Sequence, residues 1–204
     1  MSAKTEILNL DPKLKVVFEE YLPSKNDESN SSFVRLIRII VGQQLSGAAA
    51  KTIFTRLTNL IGEDFNETDL LSLDDSQFSA IGISQAKKNY SKMISLFLVT
   101  SPDYFNDLER LTPDERISEL MKFKGVGVWT ASIFVMSSDL MSDIFAYGDG
   151  TLTKVIKKIY NLSDEQLASQ LELIVSNWSP YKTLVCNALW HYNDNVLTQT
   201  RSRI

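Results

Sequence analysis

A short turn with two glycines is the segment of this sequence best suited to bind a ligand. It lies in LMKFKGVGVWTASIFVM, residues 120–136, between a helix that ends near Phe123 and a second helix that starts at Trp129. Glycine at Gly125 and Gly127 lets the backbone adopt positive φ and approach another surface closely, and the following helix N-terminus offers free N–H groups. Such a turn binds anions; the alternative is a tight connection between two packed helices.

An aspartate 22 residues after the second glycine is the strongest candidate for chemistry. Asp149 stands between Gly148 and Gly150, directly before a segment with helical periodicity. An aspartate in this position is most often an N-cap, which accepts hydrogen bonds from backbone N–H groups. The two roles are compatible, because a carboxylate at a helix start stays ionised and can face a pocket. Asp143 and Asp139 are the next candidates.

The elements that must position these residues are helices. Apolar residues recur with helical spacing along almost the whole chain, and Ser84, Thr112 and Ser163 stand where helices begin. No stretch alternates convincingly as a strand. The sequence therefore predicts an all-α fold, in which the segment from Phe33 to Gln43, apolar nearly all round, runs through the middle.

Composition excludes several classes of protein. The chain has 204 residues, of which 44% are hydrophobic and 23% charged, as in globular proteins. With one cysteine, Cys186, and one histidine, His191, it cannot form an internal disulfide, a thiolate zinc site or a four-cysteine iron–sulfur cluster. No window approaches the ~18 continuous apolar residues of a membrane span. We expect an intracellular monomer without membrane contact, cytoplasmic in a bacterium or nuclear in a eukaryote.

Charge gives a mixed signal about nucleic acid. The net charge is −4, whereas proteins that neutralise phosphates usually carry a basic excess. Lysines nevertheless cluster at 87, 88 and 92, at 122 and 124, and at 154, 157 and 158. Each cluster is either a solvated helix face or a local basic patch. Because a backbone turn can hold one phosphate with little net charge, the negative net charge of the chain does not exclude a nucleic-acid partner.

Five stretches together resemble one family. The turn reads Lys-Gly-Val-Gly-x-x-Thr-Ala and is similar to the helix-hairpin-helix of DNA-binding proteins; with Asp149 at its spacing, it resembles the helix-hairpin-helix superfamily of DNA glycosylases. Three more stretches are similar to its 3-methyladenine DNA glycosylase II branch: RIIVGQQLSGAAAKTIFTRL (38–57), IGISQAKKNYSKMIS (81–95) and WSPYKTLVCNALWHY (178–192). The resemblance runs in order from about residue 30 to 192.

The resemblance implies a base excision repair enzyme that acts on double-stranded DNA with alkylated bases. It implies that an alkylated purine is flipped into a pocket and that Asp149 stabilises the oxocarbenium-like sugar and orients water. Trp129 and Trp190 take the pocket positions, and Tyr181 is a further wall. For Trp129 and Tyr181 the alternative is core packing. Gln44 would fill the gap left by the flipped base; the alternative is that Gln43 and Gln44 only cap the end of a helix.

The same resemblance implies a set of DNA contacts and a cation. The residues expected to contact DNA are Gln44, Ser46, Lys87, Gly125, Gly127 and Thr130. The carbonyls of Met121, Phe123 and Val126 would hold K⁺ or Na⁺, and no cofactor is expected for catalysis.

Two departures bear on activity. Bifunctional relatives carry a lysine two positions after the second glycine of the turn, and this chain has Trp129 there. No amine is placed for a Schiff base, so a monofunctional enzyme is expected. Relatives commonly show Asp-Asp before Leu or Tyr, whereas Gly148 and Gly150 flank Asp149 here, opening the pocket and loosening the turn. This favours one alternative, a non-catalytic protein that senses damaged or bent DNA; the acidic balance favours another, a protein-interaction module.

The expected architecture is two helical lobes around a cleft where DNA and base meet. One lobe spans residues 30–110, and the other spans 111–204 together with 1–29. The N-terminal helix around Leu14 to Tyr21 is expected to pack on the C-terminal lobe.

Overall fold

The structure is a computed structural model that describes residues 2–19, 21 and 31–198. Within these ranges the regular secondary structure is entirely helical and contains no strand, so the all-α prediction is confirmed. The α-helices are α1 (Ala3–Leu10), α2 (Lys15–Phe18), α3 (Ser32–Gly42), α4 (Gly47–Ile61), α5 (Glu67–Ser72), α6 (Asp75–Ile81), α7 (Gln85–Thr100), α8 (Tyr104–Glu109), α9 (Pro113–Leu120), α10 (Val128–Ser138), α11 (Gly150–Tyr160), α12 (Asp164–Ser176) and α13 (Lys182–Tyr192). None of these helices combines the length and apolar character that crossing a membrane requires.

The chain divides into two compact units. The described residues of 1–26 and 136–204 form one, called here the terminal unit, and those of 27–135 form the other, the central unit. The boundary drawn from the sequence between residues 110 and 111 falls inside the central unit, because the turn after α9 packs against α7 within it. The other boundary, between residues 29 and 30, lies outside the described residues.

Helix α3 lies at the core of the central unit. Its buried side chains cover most of its circumference: Phe33, Val34, Leu36, Ile37, Ile40 and Val41. The helix packs against α4 and α7, and α5 packs against α7. This agrees with the apolar character that the sequence shows on nearly every face of the segment.

Helix starts in both units follow the predicted signals. The Ser84 hydroxyl accepts a hydrogen bond from the Lys87 N–H at the start of α7. Thr112 and Ser163 begin α9 and α12 with capping boxes, in which the side chain three residues on bonds back to the cap N–H. These three start signals are confirmed.

The terminal unit holds its N-terminal segment on helices from the other end of the chain. Trp178 is fully buried, and its Nε1 donates to Asp11 Oδ2 at 3.0 Å. The Tyr160 hydroxyl donates to the same carboxylate oxygen. Burial, followed by this bond and the Asp11 charge, raises the pKa of Tyr160 above its ordinary range. Helix α2 also packs on α13, which confirms the expected return of the N-terminal helix.

Candidate functional site

The turn with two glycines, residues 121–127, lies between α9 and α10 and is called here the glycine turn. The Val126 N–H donates to the Phe123 carbonyl at 3.0 Å. Gly125 has a φ of +91°, and a Cβ there would lie 2.2 Å from Cδ2 of the Tyr90 ring. Glycine is therefore required at this position by both conformation and space.

Gly127 differs from the sequence expectation. Positive φ was expected at both glycines, but Gly127 does not have it, and a Cβ there would meet no heavy atom within 4 Å. It precedes α10 directly and is exposed. Its lack of a side chain leaves space outside the turn, beside the N–H groups that begin α10.

The connection between α3 and α4 contacts the glycine turn directly. The Gln43 Nε2 donates to the Gly125 carbonyl at 2.9 Å and to Thr130 Oγ1 at 2.8 Å. Thr130 is 3% exposed, so its hydroxyl is buried against Gln43. A phosphate contact from Thr130 would therefore have to come from its backbone N–H.

Residues 43–45 form a tight turn, called here the Gln-Gln turn. The Leu45 N–H donates to the Gly42 carbonyl at 3.2 Å, and Gln43 has φ −50° and ψ 133°. Gln44 has a φ of +56°, which is uncommon for a residue other than glycine. Its side chain is exposed and is not a helix cap, since Gln43 ends α3 and Ser46 begins α4. The structure thus presents Gln44 at the tip of the turn.

Lys87 supports the same turn from α7. Its Nζ donates to the carbonyls of Val41 and Gln43 at 2.8 and 2.7 Å. Burial lowers the pKa of the Lys87 ammonium below its ordinary value. Two of its three donors satisfy carbonyls at the end of α3, as cations often do at helix C-termini.

An open cavity of about 610 Å³ brings most of the predicted contact residues together. Gln44, Lys87, Gly125 and Gly127 line it, as do the three expected cation ligands Met121, Phe123 and Val126. Ser46 and Thr130 do not: the Ser46 hydroxyl caps α4, and the Thr130 side chain is buried. Residues of both the glycine turn and the Gln-Gln turn therefore line the same cavity.

The carboxylate of Asp149 lies in the terminal unit, at the N-terminus of α11. Its Oδ1 accepts from the backbone N–H groups of Thr151 and Leu152, both at 2.9 Å, which confirms the N-cap reading. The same oxygen accepts from Trp190 Nε1 at 3.2 Å. Three donors at the start of α11 fix the orientation of the carboxylate.

The backbone between the two glycines is hydrogen-bonded at Asp149. Gly148 has a φ of +85°, and the Asp149 N–H donates to the buried Ala146 carbonyl at 3.1 Å. A Cβ at Gly150 would meet no heavy atom within 4 Å outside the neighbouring residues, so the absent side chain leaves open space at this position.

The other candidate carboxylates are engaged in local structure. Asp143 accepts from Ser179 Oγ at 2.6 Å and from the backbone N and Nζ of Lys182 at 3.2 and 2.9 Å. Burial raises the pKa of Asp143, but these hydrogen bonds outweigh it and bring the pKa below its ordinary value. Asp139 accepts from the Met141 N–H at 2.9 Å.

The remaining predicted residues occupy different places. Tyr181 donates its hydroxyl to Glu6, and this bond, ahead of burial, raises the pKa of the phenol. Trp129 is half-buried in the first turn of α10, in the central unit, whereas Trp190 and Asp149 share the terminal unit.

Cys186 is fully buried, and burial raises the pKa of its thiol, as for a packing residue.

Two residues of the central unit were missed by reasoning from the sequence. Gln43 was considered only as a helix cap, and Tyr90 carried no signal other than its position in a helical segment. For Gln43, the only signal in the sequence is its place in a pair of adjacent glutamines. Nothing local marks the second, because its partner Gly125 is distant along the chain.

Comparison with known proteins places the chain in a family. Residues 37–180 match the model of the HhH-GPD superfamily base excision DNA repair protein. A DNA-3-methyladenine glycosylase of Saccharomyces cerevisiae is 29% identical over 65% of this chain and 47% of its own length. A Bacillus subtilis relative is 23% identical over 87% of this chain and 64% of its own length. The chain thus spans between about half and two thirds of these relatives.

Solved structures agree on the fold. A DNA-3-methyladenine glycosidase from Bacillus halodurans is 27% identical, with a TM-score of 0.74 and coverage of 98% of this chain and 92% of that one. The 3-methyladenine DNA glycosylase of Schizosaccharomyces pombe, solved in complex with abasic DNA, is 23% identical, with a TM-score of 0.84 and coverage of 96% and 98%. The chain belongs to the HhH-GPD superfamily of base excision DNA repair proteins.

Proposed function

We propose that the protein is a monofunctional DNA glycosylase that hydrolyses the N-glycosidic bond of alkylated purines, of the 3-methyladenine and 7-methylguanine type, in double-stranded DNA. The observation that carries the proposal is the carboxylate of Asp149, which three donors hold at a helix start. The DNA-3-methyladenine glycosylase of Saccharomyces cerevisiae and the two proteins of known structure support the choice of substrate. On this proposal the protein acts inside the cell and as a monomer.

Hydrolysis of the N-glycosidic bond requires a fixed negative charge near the sugar. An alkylated purine is cationic, so its bond to the sugar is already weakened and it leaves with the bonding electron pair as a neutral base. The sugar then resembles an oxocarbenium ion, which a nearby carboxylate stabilises. Water adds at the anomeric carbon and gives up a proton. In this scheme Asp149 supplies the negative charge, and it orients the water molecule or accepts its proton.

Trp190 has two roles in this scheme. Its indole N–H holds Asp149 Oδ1, and its ring offers an electron-rich face. Cationic rings bind to such faces, so the flipped purine would be attracted to the same residue. Because position 129 carries no amine, the sugar forms no Schiff base and strand cleavage is not expected.

The central unit supplies the proposed DNA contacts. Backbone N–H groups at the start of α10 and the open space at Gly127 suit a DNA phosphate oxygen. Gln44, exposed at the tip of the Gln-Gln turn, would enter the space left by the flipped base. Lys87 acts through the turn that it supports.

A monovalent cation fits the glycine turn. Met121, Phe123 and Val126 line one cavity, and the Phe123 carbonyl keeps a lone pair beyond the one bonded to the Val126 N–H. K⁺ or Na⁺ bound there would add positive charge beside a phosphate. Replacing both ions by choline at constant ionic strength should lower DNA affinity, and unchanged affinity would remove the cation from the scheme.

The test of the function is base release from DNA treated with a methylating agent, followed by chromatography. Wild-type protein should release methylated adenine or guanine without cutting the strand. The Asp149→Asn variant should release none yet fold and bind, because asparagine caps helices as well as aspartate does. Failure of the wild type to release bases, despite binding to duplex with an abasic-site analogue, would favour the damage-sensing alternative.

A further inference from the structure

We infer that Gln43 is a positioning residue that joins the Gln-Gln turn to the glycine turn, so that gap filling by Gln44 depends on the phosphate-binding turn. The inference rests on the proposed binding of DNA by the central unit. It does not depend on catalysis, because every residue involved lies in residues 41–130.

The side-chain amide of Gln43 has only one possible orientation. The Gly125 carbonyl can only accept, so the group 2.9 Å from it must be the amide nitrogen. The second N–H of the same nitrogen points to Thr130 Oγ1 at 2.8 Å. Gly125 lies before α10 and Thr130 within its first turn. One amide group therefore holds both the glycine turn and the helix start that follows it.

The backbone of Gln43 is fixed from α7. Lys87 Nζ donates to its carbonyl at 2.7 Å, and one helical turn later Tyr90 packs behind Gly125. The start of α7 thus contacts both turns. Gln43 lies between them, with its main chain held by Lys87 and its side chain held by the glycine turn.

Gln44 follows Gln43 directly and depends on its conformation. The Gln-Gln turn is closed by one hydrogen bond, from Leu45 to Gly42, and Gln44 is held at a φ of +56°. A left-handed residue other than glycine persists only where its surroundings impose it. Release of Gln43 from the glycine turn would let the turn relax and would re-aim the Gln44 side chain.

Two other roles for Gln43 give different expectations. A direct DNA contact would leave the effects of Gln43 and Gln44 independent. A role confined to folding would lower stability and weaken all binding equally. Coupling alone makes the effect of Gln44 depend on residue 43.

The experiment is a double-mutant cycle on the full chain. Gln43→Glu keeps the shape of the side chain but sets an oxygen against the Gly125 carbonyl. The binding measured is to duplex containing a tetrahydrofuran abasic-site analogue, by fluorescence anisotropy. Gln85→Glu is the matched control, since it adds the same charge at an exposed residue whose bonded partner is Asn89. Gln43→Met replaces Gln43→Glu if the carboxylate prevents folding.

Coupling predicts a specific pattern of affinities. Gln44→Ala should weaken binding about tenfold in the wild-type background and less than about twofold with Gln43→Glu, as for groups in one network. Gln85→Glu should leave the effect of Gln44→Ala intact. Thermal unfolding of the free variants reports folding separately. Equal effects of Gln44→Ala in both backgrounds, or no effect in either, would overturn the inference.

The inference and the proposed function can fail separately. A wild-type protein that binds this duplex and shows coupling, but releases no base, would leave the inference standing and remove the proposed activity. A protein that releases methylated bases, but in which substitutions at residues 43 and 44 affect binding independently, would overturn the inference and leave the proposed activity standing. Absence of any binding to the duplex would overturn both.

Discussion

Gly125→Ala should destabilise the glycine turn. The added methyl group would lie 2.2, 2.3 and 2.7 Å from three atoms of the Tyr90 ring. A left-handed conformation costs an alanine about 1–2 kcal/mol, and forcing extra volume into a packed site costs about 1–3 kcal/mol more. The free energy of unfolding should therefore fall by about 2–5 kcal/mol. Because relief of the overlap must displace the turn or Tyr90, DNA affinity should fall as well.

Gly127→Ala is the matched variant and should behave differently. Its methyl group would meet no heavy atom within 4 Å, and the residue does not have a positive φ. Surface changes of this kind alter stability by no more than about 0.5 kcal/mol. The methyl group would nevertheless occupy the space proposed for the phosphate. We expect DNA affinity to fall about tenfold, as for the loss of roughly 1.4 kcal/mol.

Urea unfolding and anisotropy with the abasic-analogue duplex separate the two effects. We expect a loss of stability for Gly125→Ala alone and a loss of DNA affinity for both variants. If Gly125→Ala unfolded at the same urea concentration as wild type, Tyr90 would not confine the turn. If Gly127→Ala bound DNA normally, the phosphate would not approach the turn at that residue.

Three further predictions concern single side chains. Trp190→Phe keeps the ring but removes the N–H that holds Asp149, so single-turnover base release should slow by at least about tenfold, as expected for a hydrogen bond to a charged group. Normal rates would show that the bond does not position the carboxylate. Asp143→Asn should lower stability at pH 7. Because the Asp143 pKa is depressed in the folded protein, its contribution is present above about pH 4, the unfolded value, and is lost as pH falls through the folded value. Urea midpoints of the two proteins should therefore converge on acidification, and a constant difference would contradict this. Lys124→Ala should reduce the salt dependence of DNA binding by a slope of about 0.9 if this exposed cavity residue meets one phosphate; an unchanged slope would exclude that contact.

The parts of the fold that the sequence predicts are local. A helix start depends on residues within one turn, so Ser84, Thr112 and Ser163 identify α7, α9 and α12 without any tertiary information. The N-cap role of Asp149 is equally local, since its backbone partners, Thr151 and Leu152, lie two and three residues further along the chain. The glycine turn can be recognised from the sequence because residues other than glycine rarely adopt a φ like that of Gly125.

The parts that the sequence does not predict depend on distant residues. Gln43 contacts Gly125 and Thr130 across 82 and 87 positions, and no periodicity links them. Tyr90 lies in a helix with an ordinary pattern, yet it determines which residue can occupy position 125. The division between the two compact units falls after residue 135, and it too depends on contacts between distant residues.

The lysines of α7 show why charge totals are a poor guide to this protein. Lys87 caps the end of α3, Lys88 is 4% exposed and pairs with Asp75 at 2.6 Å, and Lys92 donates to the Leu73 carbonyl at 2.7 Å. The cluster is thus neither a solvated face nor a free basic patch, because each ammonium ties α7 to another part of the central unit. The proposed phosphate contact uses backbone groups and needs no excess of lysine. A net charge of −4 is therefore compatible with the proposed DNA binding, to which the partial positive charge at the start of α10 would contribute.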